Sequence, residues 1–204
     1  MKVLVCISHV PDTTAKINFK DNAFDTSGVQ FVINPYDEFS LTRAMWIKEK
    51  QGGTVTVVNV GDASTEPTIR KALAIGADSA IRIDAQPTDG FYVASQIAKI
   101  AKEGAYDIIL CGQESIDYNG GQVPGLIAGL LDLPFVNACI GLEIDGGNAT
   151  AIREIDGGKE TVSTNLPRLV LMIITPFRIL LIDSALIKCS VSGVSGQCNE
   201  MTCD

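Results

Sequence analysis

The sequence is poor in the groups that most hydrolytic and acid–base catalysts rely on. It has one histidine, His9, among 204 residues, so a Ser–His–Asp device would have to run through that residue. No nucleophile-elbow sequence accompanies it. The Walker A pattern is missing, because no Gly-Lys-Ser/Thr follows any glycine pair, and the dinucleotide fingerprint G-x-G-x-x-G is missing as well. Basic residues are outnumbered, 16 Lys and Arg against 24 Asp and Glu, and they form no cluster. A net charge of −8 and a pI near 4.6 exclude a general nucleic-acid surface, which needs a segregated basic patch. No run is long and apolar enough to insert in a membrane: the stretch from Leu169 to Ile182 is too short and is broken by Pro176 and Arg178.

Cysteine is also limited. Cys6, Cys111 and Cys139 sit in apolar, strand-like contexts and need no disulfide, so a reducing, cytoplasmic compartment is expected. Cys189, Cys198 and Cys203 crowd the last sixteen positions, but their spacing matches no zinc pattern and no histidine is near, so no metal site is expected. The N-terminal apolar run is short, lacks a small-residue cleavage site and reads as a first strand.

What is present is a strand–helix alternation in a chain that is 46% hydrophobic, long enough for one domain or one domain with an appendage. Continuous apolar runs at 2–8, 54–60, 79–84 and 106–111 predict strands buried on both faces. Between them the pattern predicts four helices. Asn34 is the expected cap of the first, with Pro35 in its first turn and Asp37 and Glu38 serving its dipole. Ser64 is the expected cap of the second, which Gly76 stops; the third spans 91–104 and the fourth 122–132. Such alternation predicts a doubly wound, mostly parallel Rossmann-like α/β sheet, with ligands beyond the carboxyl ends of the strands. After Leu133, two Asp-Gly-Gly turns at 145–147 and 156–158 predict an antiparallel β-hairpin extension.

The densest polar stretch lies between the fourth strand and the fourth helix: Gln113, Glu114, Ser115, Asp117, Asn119, Gly120, Gly121 and Gln122. One reading makes it a phosphate site. The helix N-terminus attracts an anion, Gly120 and Gly121 let the backbone approach closely, Ser115, Asn119 and Gln122 donate, and Asp117 accepts from a ribose or braces the loop. The other makes it a solvated turn. Without a Walker lysine, the first reading favours a monophosphate or dinucleotide over hydrolysed ATP. A second candidate edge is "VINPYDE", where Asn34 and Asp37 would meet an adenine or ribose and Tyr36 a ring system. The same residues also make an ordinary helix start.

Five segments, in order, resemble the electron transfer flavoprotein β subunit family: "KVLVCISHVPDT", "VINPYDEFSLTRAMWIKEKQGG", "TIRKALAIGAD", "ESIDYNGGQVPGLIAGLLDLPFVN" and "REIDGGKETVSTNLP". The resemblance implies a heterodimer with an α subunit that holds most of a redox FAD. It implies a structural AMP, or a second FAD, in the β subunit's own pocket. It also implies electron flow from dehydrogenases, notably acyl-CoA dehydrogenases of fatty acid oxidation, to a quinone oxidoreductase. Such a subunit carries electrons through its cofactor and is not itself an enzyme. By matching position, the backbone of Cys6 meets the nucleotide, Asn34, Pro35, Tyr36 and Asp37 form the next edge, and Val60 lies beneath. The run Gly112, Gln113, Glu114, Ser115, Ile116, Asp117, Tyr118, Asn119, Gly120, Gly121, Gln122 and Val123 wraps sugar and phosphate, and Tyr36 lies towards the partner's flavin. A stand-alone adenine-nucleotide-binding protein of universal-stress type is the competing class; an adenylating enzyme ranks last, because "SHVPDTTAKI" offers no Gly-rich pyrophosphate loop.

The expected organisation is a nucleotide-binding domain over 1–167 and an atypical tail over 168–204. Residues 1–165 carry the whole net charge, whereas 166–204 balance three basic against three acidic groups. A frame-shifted reading frame replacing the family's docking segment is the expectation for that tail.

Overall fold

The computed structural model describes residues 1–166 and 169–173; the remainder of the expected tail, with its three cysteines, lies outside the described residues. In chain order the strands and helices are β1 (Lys2–Cys6), β2 (His9–Pro11), β3 (Asn18–Lys20), β4 (Ala23–Asp25), β5 (Phe31–Ile33), α1 (Pro35–Gln51), β6 (Thr54–Val60), α2 (Glu66–Ile75), β7 (Ser79–Ile83), α3 (Gly90–Gly104), β8 (Ile108–Gly112), α4 (Val123–Leu131), β9 (Phe135–Asp145), β10 (Asn148–Ile155), β11 (Gly158–Asn165) and β12 (Leu169–Ile173). Eight strands form one mixed sheet in the order β11-β10-β9-β12-β8-β1-β6-β7. From β9 through β7 neighbouring strands run parallel, and β9, β10 and β11 form the antiparallel extension.

The apolar runs of β1, β6 and β8 have the cause expected of them, since helices cover both faces there; β7, expected to be buried as well, is the edge strand, and its residues are exposed or half-buried. Val3 and Val5 of β1 face a layer that includes Leu41, Ala44 and Ile47 of α1 and Ile69 and Ala72 of α2. The alternate residues Leu4 and Cys6 face Ala94, Ile97 and Ala101 of α3 and Ile127 and Ala128 of α4. The chain leaves β1 towards β6 and β7, then crosses to β8 on the other side of β1. That reversal puts a crevice beyond the carboxyl ends of β1 and β8, where open α/β sheets bind ligands.

Three local expectations differ from what is found. Ser64 does not cap α2: a 3-10 turn over Ala63–Thr65 precedes the helix, and Asp62 caps that turn by accepting from the Ser64 N–H at 2.8 Å. The chain between β1 and α1, where the sequence predicts no strand, holds the antiparallel pairs β2–β5 and β3–β4. Each of those strands is three residues long, too short for alternation to register in the sequence. Finally, Leu169–Ile173 is a central strand, paired with both β8 and β9. It begins two residues past Pro167.

Candidate functional site

The site is organised by the first turn of α1. Pro35 keeps Asn34 extended, at φ −54° and ψ 128°, and the Asn34 carbonyl accepts from the Asp37 and Glu38 amides at 2.9 and 3.1 Å. The Asn34 side chain does not cap the helix as expected. Its Nδ2 donates to the Glu114 carbonyl at 2.8 Å, and its Oδ1 accepts from the Ile116 N–H at 3.3 Å. A buried amide presents a donor and an acceptor side by side, like a peptide unit; here it pairs with the backbone of the polar loop as a neighbouring strand would.

Asp37 lies one turn on and is 5% exposed. Its carboxylate spans the switch point, accepting from the Ser8 N–H at 2.8 Å after β1 and from the Gly112 N–H at 3.0 Å at the end of β8. Burial pushes this carboxyl up to about 7, while the Ser8 and Gly112 amides and Asn34 pull the other way. Glycine is required at 112 by space: a Cβ there would lie 2.3 Å from Asp37 Oδ1 and 2.8 Å from the Asp37 backbone nitrogen.

The polar loop closes partly on itself. The Ser115 N–H donates to the Gly120 carbonyl at 3.0 Å, the Ser115 hydroxyl donates to Asp117, and Asn119 takes a left-handed φ of 56° to complete the turn. Its far end behaves differently. Gln122 occupies the cap position of α4 without a side-chain cap. By contrast, Asp89 caps α3 by accepting from the Tyr92 N–H at 2.8 Å. Pro124 has no N–H, so the Val123 and Gly125 amides are the ones at this helix start that favour an external anion.

These groups surround a cavity of about 590 Å³, within the size range of small-molecule sites. Of the residues expected from sequence, Cys6, Asn34, Asp37, Val60, Gly112 and Glu114 line it, as do Ser115, Asp117, Tyr118, Gly120, Gln122 and Val123. Pro35, Tyr36, Gln113, Ile116, Asn119 and Gly121 are not among its lining residues. Tyr36 instead packs edge-on against Phe39, with ring centroids 6.1 Å apart.

Sequence reasoning missed one complete wall, Gln86 to Gly90, which follows β7. The signal was available, because the carboxyl end of β7 lies on the same rim as those of β1, β6 and β8. It also missed Asn59, which is 2% exposed in β6 and lines the cavity. Asn59 Nδ2 donates to the Ile7 carbonyl at 2.9 Å, but its Oδ1 has no hydrogen-bond partner among the described residues. A buried acceptor left alone at a cavity wall is costly unless a ligand or solvent donor meets it. Among the described residues, no lysine or arginine lines the cavity. His9, stacked on Phe31 and hydrogen-bonded through Nδ1 to Thr68 Oγ1 at 2.8 Å, is held below its usual range by burial, against the pull of Asp62.

A doubly wound sheet with a crevice at its switch point defines a Rossmann-like α/β protein, and the uncapped helix start and the buried acceptor make that crevice its candidate ligand site. Comparison narrows the class. The family model described as Electron transfer flavoprotein domain matches residues 21–185. The chain is 37% identical over 174 residues to the electron transfer flavoprotein subunit beta of Bacillus subtilis, with 83% of this chain and 68% of that protein covered. The human subunit beta is 34% identical over 178 residues, with 83% and 70% covered. Protein FixA of Azorhizobium caulinodans is 34% identical over 189 residues, with 85% and 66% covered. This chain belongs to the electron transfer flavoprotein family, among its beta subunits.

Proposed function

We propose that this chain is the β subunit of a heterodimeric, cytoplasmic electron transfer flavoprotein and that its cavity holds AMP. The observation that carries the proposal is the cavity itself, whose polar demands are those of an adenylate. Asn59 Oδ1 is an acceptor awaiting a donor, such as an exocyclic amine or ribose hydroxyl. The amides at the start of α4 are donors awaiting an anion, and Cys6 and Val60 offer apolar surface to a base.

The missing lysine and arginine favour a single phosphate held by main-chain amides over a pyrophosphate or triphosphate. AMP is therefore preferred to a second FAD. Asn34 and Asp37 act as architects of the pocket: their polar atoms hold the loop and the strand ends in place.

The redox FAD, shared with an α subunit, supplies the electron chemistry when bound; this chain's part is to seat it and present a docking surface. Donors are dehydrogenases such as acyl-CoA dehydrogenase, and the acceptor is a quinone oxidoreductase. Co-expression with the α subunit is expected to give a yellow heterodimer. A colourless, stable single chain would favour the stand-alone nucleotide-binding class instead.

Calorimetric titration of that complex, stripped of nucleotide, tests the pocket. Asn59→Leu is expected to weaken AMP binding roughly 10- to 100-fold, corresponding to the loss of one buried hydrogen bond. Unchanged affinity in a variant with a native circular dichroism spectrum would remove Asn59 from the site. FAD displacing AMP at equal concentration would overturn the preference for AMP.

A further inference from the structure

The lining of the cavity carries a pair of thiols, Cys6 and Cys111, whose sulfur chemistry nucleotide holding does not use, although Cys6 also offers surface to a base. Strands β1 and β8 are parallel neighbours with Val5 opposite Leu110. The next residue on each strand is a cysteine, so Cys6 and Cys111 face one another across one strand spacing, about 4.8 Å. That separation falls inside the range of about 4.4–6.8 Å between the Cα atoms of disulfide-bonded cysteines. Alternation puts both side chains on the α3–α4 face, together with Leu4 and Ile109. Both residues are buried from outside, yet both line the cavity.

We propose that Cys6 and Cys111 form a redox-modification site that closes into an intrachain disulfide when a peroxide enters the cavity. Cys6, the more exposed of the two, attacks the peroxide oxygen; the O–O bond breaks, one water leaves and Cys6 becomes a sulfenic acid. The Cys111 sulfur then attacks the sulfenic sulfur, the S–S bond forms, and the hydroxyl leaves with the thiol proton as a second water. Two thiols are oxidised and one peroxide is reduced, and a small dithiol reverses the change. Cys111 enters as a thiol, because its hydrogen bond with Cys6 and its burial raise its pKa. Cys139 is an internal control. It is also buried and free, but it does not line the cavity, and its thiol donates to the Gly141 carbonyl at 3.2 Å.

The test is non-reducing peptide mapping of the full chain after hydrogen peroxide, with the free thiols then alkylated under denaturing conditions. The background is Cys189→Ser, Cys198→Ser, Cys203→Ser, which removes the other cysteines of the tail. Most of the Cys6 and Cys111 peptides should be recovered joined, two hydrogens lighter than the separate pair, and dithiothreitol should restore both. Cys139 should remain alkylatable. In Cys111→Ser the reaction should stop at a Cys6 sulfenic acid that dimedone traps. Recovery of Cys6 and Cys111 as free thiols, their separate over-oxidation, or linkage of either to Cys139 would overturn the proposal. The chain is stripped of bound nucleotide before peroxide is added, so the result does not depend on what the cavity holds.

Discussion

Replacing Asp37 with alanine is expected to lower the melting temperature by roughly 5–15 °C at pH 6. The Asp37 carboxyl group joins the ends of β1 and β8 by accepting from the Ser8 and Gly112 amides. Without it, two main-chain donors at a buried strand end lose their partner, at about 1–3 kcal/mol each. For a chain of this size each kcal/mol shifts the midpoint by about 2–4 °C. Thermal unfolding followed by circular dichroism reads the change directly. A shift below about 2 °C would mean that solvent replaces the carboxylate without cost.

The same group gives the protein a pH signature with a definite sign. Asp37 has a folded-state pKa near 7, above its value in an unfolded chain, so the folded protein holds more protons between the two values. Its contribution to stability is complete at about pH 4 and below and is lost as pH rises through about 7, by an amount on the order of 4 kcal/mol. Urea unfolding at a series of pH values should show that decline in the native protein. Asp37→Asn, neutral throughout and retaining one acceptor, should lack it. A native protein gaining stability between pH 5 and 7 from this group would reverse the assignment.

The second large effect is expected at Leu171. Its backbone pairs with Leu110 on one side and Val136 on the other, and its side chain is fully buried against the α1–α2 face of the sheet. Leu171→Ala should cost about 2–5 kcal/mol, the transfer of the lost carbons plus the cavity they leave. A urea midpoint within experimental error of the native value would show that Leu169–Ile173 does not complete the sheet. The position matters because β12 is the strand that connects the parallel sheet to its antiparallel extension, and it begins just beyond the boundary expected at 167/168.

Residues 2–8, 54–60 and 106–111 announced parallel strands because strands covered on both faces read as apolar runs, whereas 79–84, which also forms a parallel strand, lies at the sheet edge and is exposed or half-buried. The Asp-Gly-Gly turns announced β9–β10–β11, since Gly146, Gly147 and Gly157 supply the positive φ values the turns need. What composition and spacing could not give was partnership. Asp37 meets Ser8 across 29 positions and Gly112 across 75, and Asn34 meets Glu114 across 80. Nothing local distinguishes those contacts from an ordinary helix start. Asn59 was hidden for a related reason: within "TVTVVNV" it reads as one polar residue in a buried strand, and only its place beside an open cavity gives its free oxygen meaning. Leu169–Ile173 was obscured because its apolar run is not followed in the sequence by the turn and helix pattern that marks the other parallel strands.

The most direct measurement of the central claim is the nucleotide content of the αβ complex, purified without added ligand, released by acid and resolved by liquid chromatography. The account predicts one AMP and one FAD per heterodimer. A complex that carries its FAD but releases no adenylate attributable to this cavity, and that takes up none from millimolar AMP, would contradict it.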